Sequence, residues 1–120
     1  MNNQLIELSE LEKRLKKFDK MRDWEKFHYA KDLAISICCE AAELLEIFQW
    51  LSDEEIEKLK RDHAFQDKVG YELADIIMYS VRLTQKIGIN LNHYLLEKID
   101  IIESRYPAEK VKGHHCKSMI

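Results

Sequence analysis

The stretch Ala34-Ile35-Ser36-Ile37-Cys38-Cys39-Glu40-Ala41-Ala42-Glu43-Leu44-Leu45 reads as a helix from inside a packed domain, with two acids set into it. Leu33, Ile37, Ala41, Leu44 and Phe48 recur at three- and four-residue intervals, a stripe that only a helix of about 30–50 puts on one face. Glu40 and Glu43 are three residues apart and project together from that helix, and no Lys or Arg occurs from 32 to 57 to answer them at i±3 or i±4.

The pattern repeats downstream. Val69, Leu73, Ile76, Ile77, Tyr79, Ser80 and Leu83 form a long helix over about 65–87, stopped by Gly88, and it carries Glu72 and Asp75, again at i,i+3. The nearest base in sequence is Lys68, one turn before Glu72. Upstream, Leu5, Leu8, Leu11, Leu15 and Phe18 give an amphipathic first helix, and 21–29 loses that period and reads as a connection bearing aromatic anchors. Ser52 with Glu55 fits a capping box opening a short polar helix over about 53–61. Asn90 fits the N-cap of a last helix over about 91–105, with Leu91, Leu95, Ile99 and Ile102 inward and Pro107 beyond its end.

These elements predict an all-α fold, a four-helix bundle with one extra short helix, in a single domain over 1–107 followed by a tail over 108–120. Composition agrees. The chain has 120 residues, 46% hydrophobic and 34% charged, with only 3 Gly and 1 Pro, too few breakers for the turns of an all-β fold. A net charge of −3 gives no field for nucleic acid or an anionic membrane, so neither a nucleic-acid polymer nor a membrane is expected as partner. The opening Met1-Asn2-Asn3-Gln4 has no signal-peptide character and no apolar run reaches a membrane span, so the cytoplasm is the expected location. Three cysteines, Cys38 and Cys39 adjacent, make neither a zinc pair nor a disulfide framework, and these two read as small buried apolar residues.

Unpaired carboxylates on inward-leaning faces repel one another and cost free energy to remove from water, so Glu40, Glu43, Glu72 and Asp75 call for a cation. An all-oxygen carboxylate set suits Mg²⁺, with Mn²⁺ as substitute, and Mg²⁺ commonly leaves positions for water and substrate phosphate. The competing reading is that one or both pairs face water or a partner's lysines. Glu46 continues the row from Glu43, as an outer ligand or as a solvated side chain. A ferritin-like di-iron bundle would need two Glu-x-x-His motifs, and Glu25-x-x-His28, in the connection, is the only one. The tract His114-His115-Cys116 resembles a metal tract only in composition.

Glu40-x-x-Glu43 followed by Glu72-x-x-Asp75 resembles the Glu-x-x-Glu and Glu-x-x-Asp signature of the MazG-like, all-α nucleoside triphosphate pyrophosphohydrolases. Arg22-Asp23-Trp24-Glu25-Lys26-Phe27-His28, Lys31-Asp32-Leu33-Ala34 and Phe48-Gln49-Trp50 are similar to the dCTP pyrophosphatase branch of that family, and the likeness runs from about Lys16 to Lys117. The resemblance implies Mg²⁺-dependent hydrolysis of a (deoxy)nucleoside triphosphate, dCTP or a modified dCTP foremost, to the monophosphate and pyrophosphate, a nucleotide-pool house-cleaning role. It implies Glu40, Glu43, Glu72 and Asp75 as metal ligands and Trp24, Trp50 and Tyr79 around base and sugar; for in-line attack by a water held between metal and carboxylate, Glu43 or Glu72 is the candidate base, and the sequence does not rank them. Lys98, Lys117 and Arg105, and Lys31 before the acidic helix, are phosphate contacts in the same reading. It also implies a homodimer or homotetramer with sites near the interfaces. Three positions depart from the pattern: Ile102 stands in place of an Asn, Leu15 in place of a base-pocket His of the animal enzymes, and Ser118 in place of a Tyr. Ile102 motivates the alternative, a nucleotide-binding helical module with weak or no catalysis.

Overall fold

The computed structural model describes residues 4–114, all of whose regular structure is helical. Six α-helices follow in order among them: α1 (Leu8–Met21), α2 (Ala30–Phe48), α3 (Asp53–Leu59), α4 (His63–Ile87), α5 (Leu91–Arg105) and α6 (Ala108–Val111). One 3₁₀ turn, Glu25–Phe27, interrupts the connection from α1 to α2. The all-α expectation holds. None of these helices is long and apolar enough to cross a membrane.

Helix ends follow their caps. The Ser52 hydroxyl accepts from the Glu55 N–H at 3.2 Å, and its Oγ lies 3.1 Å from Glu55 Oε1, so the capping box closes hydroxyl to carboxylate. Asp62 Oδ1 accepts from the Ala64 N–H at 3.1 Å, which starts α4 two residues earlier than its apolar period suggests. Gly88 takes φ +84°, and the N–H groups of Gly88 and Ile89 both donate to the Thr84 carbonyl, ending α4 as a left-handed cap.

The end of α1 has the same form with an unusual residue. Asp23 sits at φ +54°, its N–H donating to Lys20 C=O at 3.1 Å and the Trp24 N–H donating to Asp19 C=O at 2.9 Å. This is a Schellman motif with Asp where Gly is usual. It ends α1 at Met21, later than the apolar run suggests; at the other end the helix starts at Leu8 rather than Leu5.

The chain falls into two compact units, one ending at Ile89 and one starting at Asn90. In the first, α2 lies along α4 and α1 also packs on α4. Its buried apolar side chains are Leu15, Leu33 (2% exposed) and Val81 (1%), one from each of these three helices. The α2 stripe holds at four of its five positions: Leu33 is buried, Ile37, Leu44 and Phe48 are half-buried, with Phe48 edge-on to Phe65 at 5.6 Å, and Ala41 is exposed. Leu73 and Ile77 of α4 are exposed in the single chain, as are Cys38 and Cys39, which corrects their reading as buried. Periodicity finds a helix's apolar face but does not say what covers it.

In the second unit Asn90 Oδ1 accepts from the His93 N–H at 3.0 Å and starts α5, as its sequence suggests. Leu91 is half-buried there, but Leu95, Ile99 and Ile102 are exposed, contrary to their inward reading. Beyond Pro107 the tail adds the single turn of α6. His115, Cys116, Lys117 and Ser118 lie outside the described residues.

Candidate metal and nucleotide site

The packing of α2 on α4 brings three carboxylates together. One oxygen each from Glu40, Glu43 and Glu72 lie within 4.8 Å of one another. Helical phase is responsible: Glu40 and Glu43 share a face of α2 a turn apart, and Glu72 projects from α4 toward them. Asp75 lies outside this grouping, an exposed side chain one turn further along α4, near enough for its charge to act on Glu40.

Glu40 Oε2 and Glu72 Oε2 are out of contact with water and have no hydrogen-bond partner. As carboxylates both only accept, so neither satisfies the other. A proton on Glu40 would let it bond Glu72, and that contact is the largest cause holding the Glu40 carboxyl above its ordinary range; Glu43 works against it, and burial and the charges of Glu72 and Asp75 add to it. The Glu43 carboxyl is likewise raised, first by its contact with Glu40 and by that residue's charge, then by burial, with Glu46 contributing. An orphaned pair of buried acceptors in an all-oxygen trio fits a hard divalent cation, which replaces the missing donors with positive charge.

A cleft of about 810 Å³ opens beside the cluster, lined by Glu43, Glu46, Asp62, Phe65, Lys68, Tyr71 and Glu72 with apolar neighbours from α2, α3 and the turns between. Its size suits a nucleotide. Tyr71 and Phe65 were not singled out by the sequence, and Lys68 stood out only as the base nearest Glu72, although 65, 68 and 72 share the spacing of one α4 face.

The other predicted contacts are dispersed. Trp50 follows α2 and is 86% exposed. Trp24 precedes the 3₁₀ turn, 45% exposed, its ring edge-on to Phe18 at 5.7 Å. Tyr79 is half-buried one turn beyond Asp75, with the Arg82 guanidinium 5.8 Å from its ring centre. Lys31 lies in the first turn of α2 beside a shallow apolar depression lined by Ala34, Ile35, Cys38, Cys39 and Ala42. Lys98 and Arg105 are exposed on α5, and Lys117 lies outside the described residues.

Sequence reading also missed a polar cluster where α1 meets α4. Asp19, 3% exposed, accepts from Arg82 Nε at 2.8 Å and from Arg82 Nη2 at 3.3 Å. The signal was available: Asp19 falls one turn after Leu15 on the apolar face of α1, and Arg82 adjoins Val81.

The model of the MazG-like family matches residues 35–118. The chain is 35% identical over 100 residues to dCTP pyrophosphatase 1 of Rattus norvegicus, covering 80% of this chain and 56% of that protein. It is 33% identical over 96 residues to dCTP pyrophosphatase 1 of Homo sapiens, with the same 80% and 56% coverage. The chain thus spans just over half the length of these mammalian relatives. Among solved structures, a pyrophosphatase from Archaeoglobus fulgidus superposes with a TM-score of 0.72 at 38% identity, over 89% of this chain and 98% of that one.

Proposed function

The chain belongs to the MazG-like family, and from that premise we propose that it is a nucleoside triphosphate pyrophosphohydrolase, acting on dCTP or a modified dCTP. The observation that carries this reading is the carboxylate trio of Glu40, Glu43 and Glu72, two of them with a buried, partnerless oxygen, beside a nucleotide-sized cleft whose wall includes Glu43 and Glu72. We assign Mg²⁺, or Mn²⁺ in its place, to these three residues with Asp75 completing the set. A bound divalent cation would offset the triphosphate charge and polarise the phosphoryl oxygens.

The chain's own groups do the rest. A water oxygen bonds to one phosphorus of the α–β anhydride, the bridging P–O bond breaks, and the water's proton passes to Glu43 or Glu72. A glutamate crowded by other acids holds a proton more readily than an isolated one, which suits the raised Glu43 to that task. Lys68, at the cleft wall, supports the phosphates, and we assign Lys31, Lys98 and Lys117 the same role. Trp24, Trp50 and Tyr79 are assigned to base and sugar, since aromatic faces stack any base.

The helical domain in this reading is 1–107 with 108–120 as its tail, working in the cytoplasm on the nucleotide pool. The exposed Leu73, Ile77, Leu95, Ile99 and Ile102 support a homodimer or homotetramer that buries them. Light scattering tests the assembly, and a monomer at micromolar concentration rejects it. The activity is tested by pyrophosphate release from a panel of dCTP, 5-modified dCTP, dTTP, dUTP and purine triphosphates with Mg²⁺. Turnover of cytosine nucleotides ahead of the others is expected, and no turnover of any by the folded protein rejects it.

A further inference from the structure

We propose that the Asp19–Arg82 pair is a positioning clasp that sets Trp24 and Tyr79, the two assigned base contacts, relative to one another; the inference rests on the reading above. Asp19 acts through two groups. Its carbonyl accepts the Trp24 N–H at 2.9 Å, and its carboxylate takes the Arg82 guanidinium at two points, 2.8 and 3.3 Å. Arg82 in turn lies 5.8 Å from the centre of the Tyr79 ring, one turn back on α4. One continuous path of contacts therefore runs from the backbone of Trp24 through Asp19 and Arg82 to Tyr79.

The surroundings keep this path rigid. Asp19 is 3% exposed, so its charge is fixed by Arg82 and not by solvent. His28, closing the connection that carries Trp24, has Nδ1 3.7 Å from the same Asp19 oxygen, beyond hydrogen-bond distance. Gln85 Nε2 donates to the Glu12 carbonyl at 2.8 Å, a second tie between α4 and α1 one turn along. Lys16 and Lys86 also line the small cavity of about 180 Å³ at this junction, and Glu25 faces it from the 3₁₀ turn. The fork of Arg holds a carboxylate at two points where Lys would hold it at one.

The acid cluster uses none of these groups, so loosening the clasp alters how the base is held and leaves the phosphate chemistry alone. Arg82→Lys retains the charge and loses the two-point grip; Asp19→Asn retains the Trp24 hydrogen bond and loses the charge. Each is expected to raise KM for the preferred nucleotide roughly threefold to tenfold, a part of what a stacked base is worth, with kcat within about twofold. Discrimination between cytosine and purine nucleotides falls with it. The second readout needs no activity: hydrogen exchange at the Trp24 amide, measured by NMR, is expected to quicken in Arg82→Lys, and the Trp24 indole resonance to shift.

If Asp19→Asn does not fold, Arg82→Lys alone decides. An unchanged KM, or a fall in kcat at constant KM, in a folded variant overturns the proposal. So does an unchanged Trp24 exchange rate and indole shift, whatever the kinetics. If the wild-type protein hydrolyses no nucleotide, the functional reading fails by itself, and the clasp is then decided by the exchange data.

Discussion

Adding Mg²⁺ to the metal-free protein should raise its melting temperature strongly at pH 8 and hardly at pH 4.5. The cluster holds three carboxylates within 4.8 Å, two of them with a buried oxygen that nothing partners. Glu40 and Glu43 titrate above the ordinary glutamate range, so the folded state binds protons more tightly there than the unfolded chain. Their contribution to stability is present below the unfolded value and is lost as pH rises through the raised folded values.

Once pH has risen through the raised values both groups are ionised and repel each other, and a cation is the remaining way to relieve them. With Mg²⁺ at about 100 times its dissociation constant the gain is about 2.7 kcal/mol. An unfolding entropy of roughly 2.1 cal/mol/K per residue gives about 0.25 kcal/mol/K for the 120-residue chain, hence a rise of about 10 °C. At pH 4.5, below the raised values, protons compete for the pair and must be displaced, so the same Mg²⁺ should give a much smaller rise.

Differential scanning fluorimetry with KCl as the ionic-strength control reads this directly. Glu72→Gln should melt higher than wild type at pH 8 without metal, because one repelling charge is gone, and should lose most of the Mg²⁺ effect. A wild-type protein indifferent to Mg²⁺ at pH 8, a larger shift at pH 4.5, or an undiminished shift in Glu72→Gln would each refute the reasoning.

Leu33→Ala removes the most buried side chain of α2 and should cost about 2–5 kcal/mol in urea unfolding; a loss under about 1 kcal/mol would show that the site collapses around the gap. Gly88→Ala forces a Cβ onto φ +84° in otherwise open space, so the cost is backbone strain alone, about 1 kcal/mol, seen as a lower melting temperature with unchanged kinetics. Trp50→Ala should raise KM roughly 5- to 150-fold, the worth of one stacked base, with kcat little changed; an unchanged KM removes Trp50 from the base site.

What could be read from the sequence was what is local along the chain. The Ser52 and Asn90 caps, the Gly88 stop and the i,i+3 acids depend on residues within a turn or two of each other, and helical geometry turns such spacings into positions. The Glu40, Glu43 and Glu72 grouping followed because two long helices with acids on their apolar sides have few ways to pack. The Asp19–Arg82 pair joins residues 63 apart: the position of Asp19 on the apolar face of α1 marks a buried acid, but its partner on α4 follows only from the packing. Asp62 escaped notice because a cap outside the apolar period carries no periodic signal, and it moved the start of α4 to His63. The exposure of Cys38, Leu73 and Ile77 depends on what lies over the helix, which the spacing of apolar residues does not encode.

The turn at Asp23 has a consequence for how this protein's recognition could diverge. Trp24 is held by its amide, and the left-handed residue before it fixes the direction in which the chain leaves α1. Neither depends on the indole, so any side chain other than proline at position 24 would be presented from the same point on the same path. Asp tolerates that left-handed geometry without the conformational latitude glycine would bring. Position 24 is therefore a socket framed by the backbone and, apart from the edge-on contact of its indole with Phe18, independent of its side chain, and a library confined to it is an economical test of the base contact proposed for Trp24.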